Sequence, residues 1–281
     1  MKAYLELSKP RIAVLVMATA AAGYFLAGGH GHLLAFWGLI AGVGLAAAGA
    51  GAGNQCLESG QDALMKRTSR RPLPSGRIES SRAAAAAAVL SLSGLAVVAL
   101  SAGLVPFLLT ALTLLVYLGA YTPLKRVTPH STWLGAAAGA APPLIGWAAA
   151  SGGALPFRAW VLFMIQFLWQ IPHFLSLFWM YREDYRNAGF KVVTVVDPDG
   201  GLTAFQIAMH TFTVLLASLL PVFCGMAGIG YGIGALILSA LYLALGMRAS
   251  WTLAADDTRR LFLASLAYLP LLFGMLWLGG A

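Results

Sequence analysis

Long apolar runs separated by short polar breaks set the pattern of this chain. Most runs are about 20 residues long, the length that carries a helix across a bilayer core. Read as spans, they fall near residues 11–28, 34–54, 83–102, 105–122, 132–150, 157–180, 204–224, 229–247 and 260–279. The pattern predicts an all-α protein, a polytopic transmembrane helical bundle of about nine spans around a central cavity open to the cytoplasmic face. Residues 1–281 are expected to form a single membrane domain. Lys9-Pro10-Arg11 opens the first span, where the missing proline N–H falls in the first helical turn. Gly-x-x-x-Gly spacings at Gly38/Gly42, Gly135/Gly139 and Gly228/Gly232 predict surfaces of close helix packing.

The polar breaks alternate in kind. Residues 29–32, 101–106, 151–156 and 225–230 are nearly uncharged, whereas 55–82, 123–131, 181–203 and 248–259 carry charge. With the N-terminus placed in the cytoplasm, 17 of the 18 Lys and Arg residues fall on that side and only Arg158 falls outside. Basic residues concentrate in cytoplasmic loops, so the expected setting is the cell inner membrane, multi-pass, with a periplasmic C-terminus. All ten acids fall on the same face. Chemistry that needs carboxylates is therefore expected there. Met1 to Pro10 is mixed and polar, with no cleavable signal expected.

Composition narrows the class. The 281 residues are 59% hydrophobic and 10% charged, against roughly 25% charged in a soluble domain. A net charge of +8 raises nucleic acid as a partner, but the basic residues sit in short loops between spans, and none is expected. The partner surface is the lipid bilayer. Cys56 and Cys224 make neither a disulfide framework nor a metal pair.

The densest charge lies in Asn54 to Arg82, with three acids (Glu58, Asp62, Glu79) and six basic residues (Lys66, Arg67, Arg70, Arg71, Arg77, Arg82). Asn54, Glu58 and Asp62 are spaced i, i+4, i+8, which on a helix puts them on one face, each about 40° from the last. Hard oxygen donors on one face suit Mg²⁺, which shares its shell with substrate phosphates and water. The basic residues that follow suit a diphosphate; a solvated loop with incidental ion pairs is the plainer alternative. Tyr121 and Lys125, four apart at a span end, suit a phosphate oxygen or a membrane-interface anchor. In the sixth run, Gln170 and His173 are polar residues beside Pro172, and intramembrane polar groups usually face a cavity or a partner helix. Asp184 follows at the cytoplasmic mouth, where a second Mg²⁺ ligand is wanted. His30 and His32 read as a loop or an adventitious metal pair, His210 as packed, Asp197-Pro-Asp199 as a turn, and Asp256 and Asp257 as helix-start residues. Carboxylate-bound Mg²⁺ and a ring of bases would let an allylic diphosphate ionise inside a dry, aromatic-lined cavity.

At these residues the chain resembles the intramembrane prenyltransferases of the UbiA type, and within them the branch that farnesylates haem. The resemblance runs from Lys9-Pro10-Arg11 to about Gln206. It rests on Asn54 with Glu58 and Asp62, Met65-Lys66-Arg67-Thr68, Arg71-Pro72, Tyr121-Thr122 with Leu124-Lys125-Arg126, Pro142-Pro143 with Gly146-Trp147, Trp169-Gln170 with Pro172-His173-Phe174, and Asp184-Tyr185 with Ala188-Gly189. It implies a nine-helix bundle that uses Mg²⁺ and farnesyl diphosphate, with a haem B vinyl group as acceptor and water capturing the haem-side cation. By residue it implies Asn54, Glu58, Asp62 and Asp184 for Mg²⁺, with Lys66, Arg67, Arg71, Lys125 and Arg126 for diphosphate and Tyr121 beside them. Trp169, Gln170 and His173 fall on the haem side, His173 as an iron-ligand candidate. Haem A synthase or a terminal oxidase assembly would be natural partners. Two departures stand out. Glu58 replaces the aspartate of the general pattern, and Met180 and Ala188 leave Asp184 without an aspartate four residues away. The alternatives are a transferase of the same type with a quinone or chlorophyll-like acceptor and, in another class, a transporter or haem-handling protein without catalysis. Nearly bare outer loops disfavour the alternating access of a transporter.

Overall fold

The computed structural model describes residues 2–29 and 33–279. His30 and His32 lie outside the described residues. Every regular element among the described residues is a helix. The short α1 (Lys2–Leu7) precedes α2 (Pro10–Leu26), α3 (Leu33–Leu57), the short α4 (Ser59–Leu64) and α5 (Ser80–Ala102). Next, α6 (Leu104–Leu114) runs through a π-helical turn, Leu115–Tyr121, into α7 (Thr122–Leu124). Then come α8 (Ser131–Ala150), α9 (Phe157–Met180), α10 (Arg182–Asn187), α11 (Val193–Val196), α12 (Gly201–Phe223), α13 (Ile229–Thr252) and α14 (Ala255–Leu278).

Seven helices have the length and apolar composition of membrane spans: α3, α5, the continuous Leu104–Leu124, α9, α12, α13 and α14. The α2 helix is apolar but 17 residues long, at the short end of the spanning range. The α8 helix is buried along most of its length. Side chains such as Leu34, Leu100 and Trp251 stand about nine-tenths exposed on the outer surface, as fits helices of spanning length in contact with lipid.

Neighbouring helices form two flanks. On one side α2 packs on α3, α3 on α5 and α5 on α6; on the other, α9 packs on α12 and α14, and α13 bridges those two. The α8 helix contacts α2, α6 and α9, and α14 returns to α2. Small residues permit the closest approaches. A Cβ added at Gly23 would run into the Pro143 backbone, and one at Gly146 into the Ala20 carbonyl, so α2 and α8 touch backbone to backbone. The expected packing at Gly38 and Gly42 is seen against Ser101 and Val98 of α5. Gly135 and Gly139 instead receive the side chains of Tyr121 and Gln170. A Cβ added at Gly228, the N-cap of α13, would meet nothing, whereas one at Gly232 would meet Val222 of α12.

At the charged end the chain is folded, not loose. Leu73 and Ile78 bury against Leu7 and Ala52. Gln55 Nε2 donates to Leu7 O at 2.8 Å, and Arg77 pairs with Glu6, so α1 straps the connection between α4 and α5. Asp197 turns the chain as expected, and its carboxylate accepts from the Thr203 N–H and hydroxyl at 2.7 and 2.8 Å in the first turn of α12. Asp257 sits in the first turn of α14 and binds Arg248 Nε at 2.9 Å.

Candidate active site

Asn54 lies in the last turn of α3, Glu58 at the junction with α4, and Asp62 in α4. The junction keeps helical bonding: Glu58 N–H donates to Asn54 O at 3.0 Å and Asp62 N–H to Glu58 O at 2.8 Å. The i, i+4, i+8 relation therefore survives the break, and all three side chains line one small cavity of about 130 Å³. They are 3%, 4% and 3% exposed. Each is met by a base. Lys9 Nζ donates to Asn54 Oδ1 at 2.7 Å, Lys125 forms an ion pair with Glu58, and Arg71 Nη1 reaches both Asp62 oxygens at 2.8 and 2.7 Å. With Arg67 also on the lining, four basic groups face two carboxylates. That excess suits an anionic ligand.

Several elements hold these groups in place. Asn54 Nδ2 donates to the Thr122 hydroxyl at 3.3 Å, and that hydroxyl donates to Tyr117 O at 2.8 Å across the π turn. Lys191 N–H donates to Lys125 O at 2.7 Å, tying α7 to the chain after α10. Lys125 Nζ stands 4.8 Å from the Tyr121 ring centroid and 5.4 Å from that of Phe190. Lys9 has left-handed backbone, φ 48 and ψ 59, at the entry to α2. Burial, with Arg71 nearby, pushes its ammonium down from 10.5 to about 7. Burial pushes the Tyr185 phenol above its ordinary value of 10. Tyr117, Phe174, Leu177 and Phe178 also line the cavity.

A wider, open cleft of about 520 Å³ adjoins this cavity and shares Arg67 with it. Asp184 lies there, bound through Oδ2 to the Arg67 N–H at 3.3 Å, and Arg67 stacks over Tyr181 at 5.0 Å. Deeper along α9, His173 Nδ1 lies 2.7 Å from Ser265 Oγ of α14, and the imidazole stacks with Trp169 and with Phe262.

The sequence model of the UbiA prenyltransferase family matches residues 16–278. This chain belongs to the UbiA prenyltransferase family. It is 42% identical to a protoheme IX farnesyltransferase of Solibacter usitatus, over 99% of this chain and 98% of that one. It is 38% identical to one of Opitutus terrae, over 97% and 92%. Among solved structures, a digeranylgeranylglyceryl phosphate synthase superposes with a TM-score of 0.82 at 17% identity, over 99% of this chain and 97% of that one. A UbiA homolog from Archaeoglobus fulgidus bound to GPP and Mg²⁺ superposes with a TM-score of 0.67 at 14% identity, over 98% and 99%. At those identities the structures establish the fold.

Within the UbiA fold the expected residues separate into groups. Asn54, Glu58, Asp62, Arg67, Arg71, Tyr121 and Lys125 converge on the inner cavity. Asp184 and Lys66 line the outer cleft. Arg126 is exposed and lines neither, because the chain turns after Lys125 and carries the next side chain outward. Gln170 fills the notch at Gly139 and donates to Ala136 O at 3.4 Å. Its amide thus fastens α9 to α8 and does not line the cavity. Trp169 and His173 line neither cavity, and Trp169 Nε1 donates to Ser265 O at 2.9 Å. Sequence reasoning did not assign site roles to Lys9, Tyr117, Tyr185 and Phe190. For Lys9 a signal existed: a basic residue before the helix-opening proline of the first span, on the face that holds the acids.

Proposed function

We propose that this chain transfers the farnesyl group of farnesyl diphosphate to a vinyl group of haem B, with addition of water, to give haem O. The observation that carries the reaction type is the buried cavity that Asn54, Glu58 and Asp62 line together with four bases and several aromatic side chains. The choice of acceptor is supported by relatives named protoheme IX farnesyltransferase that align with nearly the whole chain.

The donor set fits Mg²⁺. An amide and two carboxylates, all nearly buried, offer hard oxygens to one cavity. Among the described residues no three His, Cys, Asp or Glu side chains form a cage of their own. This suits an ion that completes its shell with diphosphate and water. In this reading Asn54, Glu58 and Asp62 hold Mg²⁺, and Asp184 serves a second subsite reached past Arg67. When bound, Mg²⁺ supplies charge neutralisation at the diphosphate.

Lys9, Arg67, Arg71 and Lys125 grip the diphosphate oxygens, and Lys66 and Arg126 add to the field that draws the anion in. The bond between the farnesyl C1 and oxygen breaks, and its electron pair leaves with the diphosphate. The vinyl π electrons of the acceptor form the new bond to C1. The cation left beside the porphyrin takes up water, which then loses a proton. Tyr117, Tyr121, Phe174 and Phe178 keep water from the allylic cation and turn ring faces toward it. His173, with Trp169 beside it, serves the haem side. All nine long helices cross the inner membrane in this reading, with the cavity toward the cytoplasm, and the product passes to haem A synthase or an oxidase assembly.

The test is direct. Purified protein is incubated with haem B, farnesyl diphosphate and Mg²⁺, and the haems are analysed by mass. Haem O that disappears with EDTA and in Asp62→Ala is the expected result. Prenylation of a quinone precursor instead would discard the acceptor. No transfer to any acceptor by folded protein would discard the enzyme.

A further inference from the structure

We propose that Ser265 is a positioning residue: its hydroxyl holds the His173 imidazole in the one tautomer that leaves Nε2 free to ligate the acceptor's iron. This rests on the reading of haem as acceptor, and the test separates the two.

The argument counts protons. Ser265 Oγ lies 2.5 Å from Phe262 O, and a backbone carbonyl only accepts. The hydroxyl has one proton, and that bond uses it. At His173 Nδ1, 2.7 Å away, the same oxygen must therefore accept, so Nδ1 carries the ring proton. A neutral imidazole protonated at Nδ1 has its lone pair on Nε2. No protein group among the described residues bonds Nε2. Ser265 is fully buried, so bulk water does not compete for its hydroxyl.

Orientation is fixed as firmly as protonation. The Trp169 ring lies 5.2 Å from the imidazole at 20° and the Phe262 ring 4.9 Å at 25°. Stacking engages the ring face, which leaves the ring edge to act. Trp169 is itself held by the same serine, through its Nε1–H to Ser265 O at 2.9 Å. One residue of α14 thus fixes the histidine and one of its two aromatic walls. Histidines that bind metal usually donate their other ring N–H to an oxygen that fixes tautomer and direction, and losing that oxygen typically costs about 10- to 100-fold in affinity. A deeply packed structural histidine needs no particular nitrogen left open. His173 lines neither cavity, but Leu177, one turn along α9, lines the inner one, about 6 Å further along the helix axis.

The first measurement needs no variant at Ser265. In protein labelled with ¹⁵N at its histidines, the His173 signal is assigned by its loss in His173→Ala. Nδ1 is expected protonated and Nε2 bare; an Nε2–H tautomer overturns the proposal. The second is titration with haem B, followed by absorption and by the iron–histidine vibration of the ferrous complex. Wild type should show a histidine-ligated haem that His173→Ala lacks. Ser265→Ala should shift the iron–histidine vibration and weaken binding about tenfold or more, and Ser265→Thr, which keeps the hydroxyl, should restore both. A wild-type spectrum and affinity in Ser265→Ala overturns the role of Ser265. Absence of histidine ligation in wild type overturns it too; haem O formation, assayed separately, then decides whether haem remains the acceptor.

Discussion

The Lys9 ammonium lies 2.7 Å from Asn54 Oδ1, and this bond ties the entry of α2 to the last turn of α3 across the candidate site. The backbone at Lys9 is left-handed, a conformation that costs a non-glycine residue about 1–3 kcal/mol. Pro10 follows at once and fixes the start of α2. The strain persists where it aims a base into the cavity. Lys9→Met is expected to keep the fold and to raise KM for farnesyl diphosphate about tenfold, a change of about 1.4 kcal/mol. Steady-state kinetics at saturating haem check this; an unchanged KM would remove Lys9 from diphosphate binding.

Lys125 and Glu58 form a pair whose side chains are 8% and 6% exposed. Removing one partner leaves a buried charge without compensation, at about 3–5 kcal/mol. Glu58→Gln and Lys125→Met should each lower the melting temperature in detergent by several degrees. The double variant should lose clearly less than the sum of the two, while all three lose transfer. Additive losses would mean that the pair is not coupled.

Gly146 faces the Ala20 carbonyl with no room for a Cβ. Gly146→Val must push α2 away from α8, and overpacking of a tight contact costs about 1–3 kcal/mol or more. Thermal melting should fall well below that of Gly274→Ala, a glycine whose added Cβ meets nothing.

Acid should loosen the α1 strap. The Arg77 guanidinium, bonded to Glu6, holds the Glu6 carboxyl below its ordinary 4.5. The stabilising contribution is present above that ordinary value and is lost as pH falls through the lower folded one. Both side chains are more than two-fifths exposed, so salt weakens the effect. Hydrogen exchange in α1, corrected for intrinsic rates, should quicken at acid pH in wild type and lose that dependence in Glu6→Gln.

The long helices were legible because hydropathy and breakers agree. Pro10 starts α2, and Gly103, at φ 91, separates α5 from α6 where the run breaks. The acidic face was legible because helical bonding runs through Glu58. Tertiary choices were not. A glutamine in an apolar run reads equally as a ligand or as a fastener, and only the notch at Gly139 decides that Gln170 fastens. Lys125 and Arg126 are adjacent in sequence, and the turn that sends one inward and the other outward depends on the pairing with Lys191. The signal at Lys9 was there, but the proline beside it already accounted for the local pattern.

The π-helical turn at Leu115–Tyr121 makes the length of that helix part of the chemistry. A π turn amounts to one extra residue carried within an α-helix, and such turns gather at functional sites. Each residue of an α-helix advances about 100° around the axis. Excising a single residue from the regular α-helix before the π turn would swing everything after it by that angle, whereas one excised within the π turn would let the turn rewind to α with the heading kept. In the first case Tyr121, Thr122 and Lys125 would leave the carboxylates together, as one cluster. The site is therefore vulnerable to a deletion that alters none of its own side chains, and a change in chain length within this helix is a change in the active site.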